Sequence, residues 1–294
     1  MKRPHIISIG EVLWDLFPDG ERFGGAPANF ACHAAILGAG VTMVSAVGDD
    51  ERGREAIRIL EEFGIDTGLV RVIPDAPTGS VGVETDLKGK PCFTIHENSA
   101  WDRIDSPPQL SAMIAGADAL YFGTLGQRSR SSWEMIRRAL ESAKSAGVTR
   151  VLDINLRAPF FDFELIRESI EQASILKLSD DEFETVAQAC GIESWDEQCS
   201  VLRVILKRFD LDSIVMTRGA DGAVFVSADA TVEHPGLPTE VVDTVGAGDA
   251  FTAALVIAQF RGETPTATLQ NATRTASFVC SQPGAIPNPL QSST

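Results

Sequence analysis

The chain has 294 residues and a formal net charge of −16 at pH 7, with 44% hydrophobic and 22% charged residues. This length fits one large α/β domain or one domain with a small appendage, and the composition is ordinary for a protein with a sizeable core. The acidic balance argues against nucleic acid or an anionic membrane as a partner, because no basic excess is present to neutralise phosphates. The five cysteines form no C-x-x-C pair, and no apolar run approaches the roughly 18 residues of a membrane span, so we expect a cytoplasmic protein.

Short, β-rich apolar runs alternate with longer helical patterns along the chain. This alternation predicts βαβ units around a largely parallel sheet. The strands are expected at 5–9, 42–47, 119–122, 150–154, 175–178, 213–217 and 223–226. The helices are expected at 27–37, 53–63, 131–146, 163–172, 180–189, 195–209, 249–259 and 266–279.

One region departs from this rhythm. Residues 70–101 alternate between apolar and polar side chains with period two, notably at 80–85 and 92–95, around a turn at Lys88-Gly89-Lys90. The pattern predicts an antiparallel hairpin inserted into an α/β chain, with further strands in 13–23 beside it. We expect one domain over 1–294, in which about 12–25 and 70–101 form a small β lid over a ligand cleft. A decorative hairpin at a sheet edge is the alternative.

The run V-V-D-T-V-G-A-G-D-A-F at 241–251 carries the strongest chemical signal. It predicts a strand, a glycine turn and a helix start, with Asp249 in the first helical turn. A helix N-terminus has unpaired N–H groups and partial positive charge, and it therefore binds anions such as phosphate. An aspartate beside that anion can accept the proton of an attacking hydroxyl group. By itself, the run also fits an ordinary glycine turn, and it matches neither a dinucleotide fingerprint nor a P-loop.

Several other motifs accompany this run in a characteristic order. They are G-G-A-P-A-N-F-A at 24–31, V-G-D-D at 47–50, D-I-N-L-R at 153–157, L-K-L-S-D-D-E at 176–182 and T-R-G-A-D-G at 217–222. Together with D-T-V-G-A-G-D-A-F, they resemble the ribokinase-like sugar kinases of the phosphofructokinase B family over essentially the whole chain. G-E-V-L-W-D-L-F at 10–17, D-I-N-L-R and S-A-W-D at 99–102 are most similar to fructokinases. The resemblance implies a three-layer α/β fold with helices on both faces of the sheet and a small antiparallel lid.

The resemblance also implies a role for particular residues. Asp249 would be the catalytic base, and the backbone around Gly246, Ala247 and Gly248 would form the anion hole. The sugar would contact Asp15, Gly25 and Asn29, and Arg157 would face the substrate or the transferring phosphate. The residues implied for ATP are Ser179, Thr217, Gly219 and Gly222, with Gly246 and Gly248. Glu182 would hold Mg²⁺ through water, and Asp243, Val245 and Gly284 would surround a monovalent cation such as K⁺.

We therefore expect ATP-dependent phosphorylation of the primary hydroxyl of a neutral sugar, with D-fructose giving fructose 6-phosphate. Residues 94–100 contain an acid and no arginine, which disfavours the carboxylate of 2-keto-3-deoxygluconate. A 2-keto-3-deoxygluconate kinase, a ribokinase or nucleoside kinase, and a non-catalytic sugar-binding protein remain as alternatives. The exposed lid sheet suggests a homodimer that pairs lid to lid.

Overall fold

The computed structural model describes residues 3–85, 91–195 and 197–287. Within these residues, nine strands, numbered in chain order, form a mostly parallel sheet. Their spatial order is β13 (Thr231–His234), β12 (Ala223–Ser227), β11 (Ser213–Thr217), β10 (Ile175–Ser179), β9 (Thr149–Asp153), β8 (Ala119–Gly123), β1 (His5–Ile9), β4 (Gly40–Gly48) and β5 (Asp66–Ile73). The β12 and β13 pairings are antiparallel and the others are parallel. Because β13 runs in the same direction as β11, the carboxyl ends of eight of these strands meet at one edge of the sheet, which is where open α/β sheets bind ligands.

Helices cover both faces of this sheet, as the alternating pattern predicts. Helices α3 (Leu110–Ala115), α4 (Arg130–Ser145), α5 (Phe163–Gln172), α6 (Asp180–Ala189) and α7 (Gln198–Arg208) contribute to one buried apolar cluster. Helices α1 (Ala26–Ile36), α2 (Glu51–Glu62), α8 (Ala247–Phe260) and α9 (Pro265–Cys280) contribute to the other. Helix α8 is buried from Asp249 to Ala258, because it packs between α1 and α9 as well as on the sheet.

A second, four-stranded sheet projects from this core. It contains β2 (Leu13–Phe17), β3 (Gly20–Gly24), β6 (Gly79–Thr85) and β7 (Pro91–Ile95) in the order β3-β2-β6-β7. β6 and β7 form the predicted antiparallel hairpin, β2 and β3 form a second one, and a parallel pairing of β2 with β6 joins the two. The predicted turn at 88–90 lies outside the described residues.

The predicted start of the second lid segment at residue 70 is wrong. Residues 70–73 belong to β5, which pairs with β4 at the edge of the large sheet. Apolar and polar side chains alternate in an edge strand of the large sheet just as they do in the small sheet, because one face of an edge strand is solvated. The sequence pattern therefore does not distinguish the two sheets. At the other limit, Trp101 lies fully buried in a short 3₁₀ turn against the main core.

The strand predicted immediately before Gly246 is also wrong. Residues 235–246 contain no strand, and the side chains of Val241 and Val242 are 61% and 60% exposed. β-Branched residues favour strands where their side chains can pack on a pleated, half-buried surface. This segment follows the last strand of the sheet, so it has no such surface to pack on. Val242 N–H and Asp243 N–H both donate to the Cys280 carbonyl, at 2.8 and 3.2 Å, which ties this segment to the end of α9.

In the part of the chain that the structure describes, no helix combines the length and apolar character needed to cross a membrane.

Candidate active site

A cleft of about 710 Å³ lies between the small sheet and the carboxyl edge of the large one. Its apolar lining comes mainly from the small sheet, while its ionisable lining comes from both sheets and their loops. The lining side chains and backbone belong to Glu11, Leu13, Asp15, Phe17, Gly25, Ala26, Asn29, Val81, Ile95, Leu125, Asp153, Asn155, Arg157, Lys177, Asp181, Thr244, Val245, Gly246, Gly248 and Asp249. The polar groups converge on the N-terminus of α8.

Helix α8 begins at a tightly constrained glycine. Gly246 is its N-cap and has a left-handed backbone with φ +77°. A Cβ atom there would lie 2.4 Å from the Ala285 carbonyl oxygen, so the chain crossing leaves no space for a side chain. The Ala247 N–H donates to the Thr244 carbonyl at 3.3 Å, a contact at the long end of the hydrogen-bond range. The first turn of α8 thus presents its positive end, including Gly248, to the cleft.

Asp249 lies in this first turn and is 9% exposed. Burial, together with the negative charge of Asp153, raises the pKa of Asp249 to about 7, although the Asn29 hydrogen bond and the Lys177 and Arg157 charges oppose the shift. A carboxylate whose pKa lies near neutrality is a much better proton acceptor than an ordinary aspartate. The position and basicity suit a general base.

Asn29 reaches Asp249 from the first turns of α1. Its Nδ2 atom donates to Asp249 Oδ2 at 2.9 Å, and its buried Oδ1 atom has no protein partner. The helix starts after Gly25, whose φ of +105° and close approach to the Glu11 carbonyl, 2.6 Å from a hypothetical Cβ, require glycine. The orphaned Oδ1 atom indicates a missing donor, such as a ligand hydroxyl group or water.

Asp15 and Arg157 enter the cleft from opposite sides. Asp15 lies within β2 of the small sheet, in the region where further lid strands were expected. Burial raises the pKa of Asp15 to about 6 against the opposing charges of Arg157 and Arg22. Arg157 is exposed on the loop that follows β9. The structure therefore brings all four predicted sugar-site residues into one cleft.

Of the six residues predicted for nucleotide, Gly246 and Gly248 line the cleft, and the other four lie beside it, at the ends of β10 and β11. Ser179 and Thr217 are direct partners across these strands. Gly219 and Gly222 form the turn that follows β11, and Gly222 has φ +89° with the His234 carbonyl 2.0 Å from a hypothetical Cβ. The described residues that line the cleft do not include these four. They lie along the same sheet edge, one to two strands away from Asp153.

Glu182, predicted as a magnesium-holding residue, has a clear structural role. Its Oε2 atom accepts hydrogen bonds from Ser179 N–H at 2.8 Å and from Ser179 Oγ at 2.9 Å, which forms a capping box at the start of α6. Its Oε1 atom accepts from Leu156 N–H at 2.7 Å. The carboxylate therefore joins α6 to the loop that carries Arg157.

Asp243, Val245 and Gly284 come together as predicted, although no ion-binding role follows from this contact alone. The Asp243 carboxylate accepts hydrogen bonds from Val245 N–H at 3.0 Å and from Gly284 N–H at 3.1 Å. These bonds hold the loop before α8 against the loop after α9. The monovalent-cation site stays a prediction.

Comparison with known proteins identifies this arrangement. A family model described as "pfkB family carbohydrate kinase" matches residues 18–292. The chain belongs to the pfkB family of carbohydrate kinases. It is 31% identical to fructokinase-1 of Oryza sativa subsp. japonica over 271 residues, which cover 85% of this chain and 81% of the relative.

Solved structures show the same fold. The crystal structure of a putative ribokinase II from E. coli in its apo form superposes with a TM-score of 0.85, at 21% identity over 98% of this chain and 96% of that one. Aminoimidazole riboside kinase from Salmonella enterica, complexed with aminoimidazole riboside and an ATP analog, gives a TM-score of 0.78 at 25% identity over 98% of both chains. The predicted three-layer ribokinase-like fold is confirmed.

Two ionisable features of this pfkB-family site were missed from the sequence. Glu11 is 3% exposed, its Oε2 atom has no hydrogen-bond partner, and burial raises its pKa to about 7. Lys177 is buried in the cleft beside Asp153. One signal was available for the lysine, since a lysine between Leu176 and Leu178 in an apolar strand requires a buried partner. Glu11 had no comparable signal, because its sequence position after β1 fits an ordinary loop.

Proposed function

We propose that this carbohydrate kinase transfers the γ-phosphoryl group of ATP to the primary hydroxyl of a neutral sugar, D-fructose above all. The observation that carries the proposal is the buried Asp249 at the N-terminus of α8, held by Asn29 and facing the cleft. A base at this point lies beside the positive helix end, where an attacking hydroxyl and a phosphate would meet.

The reaction follows from this arrangement. Asp249 accepts the proton of the hydroxyl group as its oxygen attacks the terminal phosphorus atom. The first turn of α8, with Gly246 and Gly248, stabilises the charge on the transferred group. The Asn29 amide holds the Asp249 carboxylate in place, while Asp15 and the Gly25 backbone bind the sugar hydroxyls. Aminoimidazole riboside kinase, solved with an ATP analog, supports ATP as the donor.

The donor set suits Mg²⁺ that arrives with the nucleotide. Among the residues that the structure describes, no group of three or more His, Cys, Asp or Glu side chains is arranged to hold a metal. Mg²⁺ typically uses one or two carboxylates together with substrate phosphates and water. Asp181 in the cleft wall provides a carboxylate of this kind, whereas both oxygens of Glu182 accept hydrogen bonds within the protein. The ion would neutralise phosphate charge during transfer.

The chemistry of the cleft favours a neutral substrate. Its lining contains Glu11, Asp15 and Asp181, and the exposed Glu97 follows β7. These acids disfavour a sugar acid such as 2-keto-3-deoxygluconate. The 31% identity to a fructokinase supports fructose.

A riboside is the second candidate substrate. Leu13, Phe17, Val81 and Ile95 line the cleft on the side of the small sheet. An apolar wall of this kind accommodates a heterocyclic base better than a bare hexose does, and a riboside kinase is among the similar structures. The other candidates, ribose and 2-keto-3-deoxygluconate, have no such observation in their favour.

A substrate panel tests the proposal. ADP release with Mg-ATP is measured for D-fructose, D-ribose, 2-keto-3-deoxygluconate, adenosine and aminoimidazole riboside, with Asp249→Asn as the catalytic control. We expect the highest kcat/KM with fructose and a product phosphorylated at the primary hydroxyl, as read by ³¹P NMR. A higher kcat/KM for a riboside would make a riboside the proposed substrate in place of fructose. An absence of sugar-dependent ADP release would overturn the proposed kinase function. Lid closure, lid-to-lid dimerisation, K⁺ dependence and a cytoplasmic location stay predictions.

A further inference from the structure

Lys177 is a buried cation at the point where phosphoryl transfer is proposed. It is 7% exposed, and its Nζ atom donates to Asp153 Oδ1 at 3.2 Å. Burial opposes the charge, but the nearby carboxylates of Asp153, Glu182 and Asp249 together raise the pKa of Lys177 above its usual value. The side chain is therefore an ammonium ion at neutral pH.

A network of polar contacts fixes this ammonium relative to α8. The second oxygen of Asp153, Oδ2, lies 3.0 Å from Thr252 Oγ1. Thr252 Oγ1 is also 2.9 Å from the carbonyl oxygen of Gly248, one turn earlier in the helix. Asp153 thus links Lys177 on β10 to the first turn of α8.

Lys177 directly faces the glycine of the anion hole. A Cβ atom at Gly248 would lie 3.2 Å from Lys177 Nζ, so the ammonium lies against the backbone of the first turn. Hydrogen bonds among the described residues use one of its three N–H donors. The other donors are available to a group bound at the helix N-terminus.

Acidic groups outnumber cations in the lining of the cleft. Five carboxyl groups, those of Glu11, Asp15, Asp153, Asp181 and Asp249, line it, against the cations Arg157 and Lys177. Of the two cations, only Lys177 is buried, and its Nζ atom is the one that a Cβ at Gly248 would approach, at 3.2 Å. A phosphate that enters such an acidic cleft requires a cation close to its path.

We propose that Lys177 is a catalytic residue whose ammonium group contacts the transferring phosphoryl group at the N-terminus of α8. This role rests on the proposed kinase function. In the reaction, the sugar hydroxyl loses its proton to Asp249 while its oxygen forms a bond to the terminal phosphorus. The bond between that phosphorus and the leaving oxygen of the nucleoside diphosphate breaks. Lys177 keeps its proton and balances the charge shared by the equatorial oxygens.

The test compares Lys177→Met with Lys207→Met. Lys207 is exposed on α7 and serves as the matched control. Lys177→Met should lower kcat by about 10²–10³, with sugar KM changed less than threefold. In calorimetry with sugar present, the variant should bind MgADP nearly as well as wild type. It should lose at least tenfold in affinity for MgADP with fluoroaluminate, which imitates the planar phosphoryl group. Lys207→Met should match wild type in every measurement.

Each outcome decides a particular claim. An active wild type whose folded Lys177→Met variant keeps its kcat and its fluoroaluminate binding would overturn the role of Lys177 alone. A wild type that releases no ADP with any substrate in the panel would overturn the kinase function and the lysine role together. If Lys177→Met does not fold, the double variant Lys177→Met with Asp153→Asn removes both buried charges. A double variant that is folded and retains wild-type fluoroaluminate binding would also overturn the role of Lys177.

Discussion

Asn29 donates a hydrogen bond of 2.9 Å to Asp249, across 220 positions of sequence. The bond joins the first turns of α1 to the first turn of α8. The two helices carry, respectively, the proposed sugar-binding and phosphate-binding groups. Because the Asn29 hydrogen bond stabilises the ionised form of Asp249, it lowers the pKa that burial raises, and so it limits the basicity of the carboxylate. In the proposed mechanism, this contact holds the base between the sugar site and the phosphate site.

The first prediction concerns the base itself. Asp249→Asn should lower kcat by about 10²–10⁴, the usual contribution of general base catalysis. The affinity for MgADP, measured by calorimetry, should stay within about threefold, because the α8 N-terminus is unchanged. Asp229→Asn, at an exposed position, is the control. Wild-type turnover in Asp249→Asn would show that another group accepts the proton.

The second prediction is a pH dependence of activity. In the proposed mechanism the ionised form of Asp249 is the active form, and the pKa of Asp249 is about 7. The value of kcat/KM should therefore rise as the pH increases from 5.5 to 8, with a midpoint about 7. Steady-state assays at constant ionic strength measure the profile. A profile that is flat across this range would contradict the assignment.

The third prediction concerns stability, and the sign follows from the same shift. Asp249 holds its proton more tightly in the folded than in the unfolded protein, so stability falls as the pH rises from about 4 through about 7. Asp249→Asn removes this titration. The variant should have a higher free energy of unfolding than wild type, by roughly 4 kcal/mol at most, since each pKa unit corresponds to about 1.4 kcal/mol. Denaturant unfolding should give a larger difference at pH 8 than at pH 5.

The fourth prediction compares two glycines with the same backbone. Gly246 and Gly262 have φ of +77° and +71°, so alanine costs each of them roughly 1 kcal/mol in the left-handed region. Only at Gly246 would the new Cβ meet the Ala285 carbonyl, while Gly262 has nothing within 4 Å. Gly246→Ala should therefore reduce kcat at least tenfold and lower stability further. Gly262→Ala should keep full activity, and equal losses in the two variants would contradict the close packing.

The fifth prediction concerns a buried ion pair below the small sheet. Arg128 contacts Asp102 at 2.8 Å, is 5% exposed, and stacks on Trp101 at 3.8 Å. Arg128→Met should cost about 3–5 kcal/mol of unfolding free energy, because it leaves the Asp102 carboxylate, only 12% exposed, without its cation. Arg130→Met should cost at most about 1 kcal/mol, since Arg130 is 90% exposed in its pair with Glu134. Denaturant unfolding of both variants measures the contrast, and equal costs would contradict it.

Much of the fold was predictable from local patterns. The bounds of β1, β11, α5 and α6 agree with the expected ones to the residue. Strands with buried faces and helices with caps carry their periodicity in the chain itself. The strand predicted before Gly246 was wrong because a strand forms only where a neighbouring strand can pair with it. The predicted start of the lid was wrong because an edge strand alternates between apolar and polar residues in either sheet.

The run ending in G-A-G-D and its accompanying motifs determined the family and the helix start that carries Asp249. Glycines and capping groups act on the backbone within a few residues, so their effect can be predicted from the local sequence. Only the tertiary structure decided that Asn29 touches Asp249, that Lys177 pairs with Asp153 beside Gly248, and that Glu11 lies buried. These contacts depend on distant segments meeting in a low-dielectric cleft, where burial and neighbouring charges set each pKa. The local sequence determined that an aspartate lies at the start of α8, whereas the tertiary structure determines its pKa and its hydrogen-bond partners.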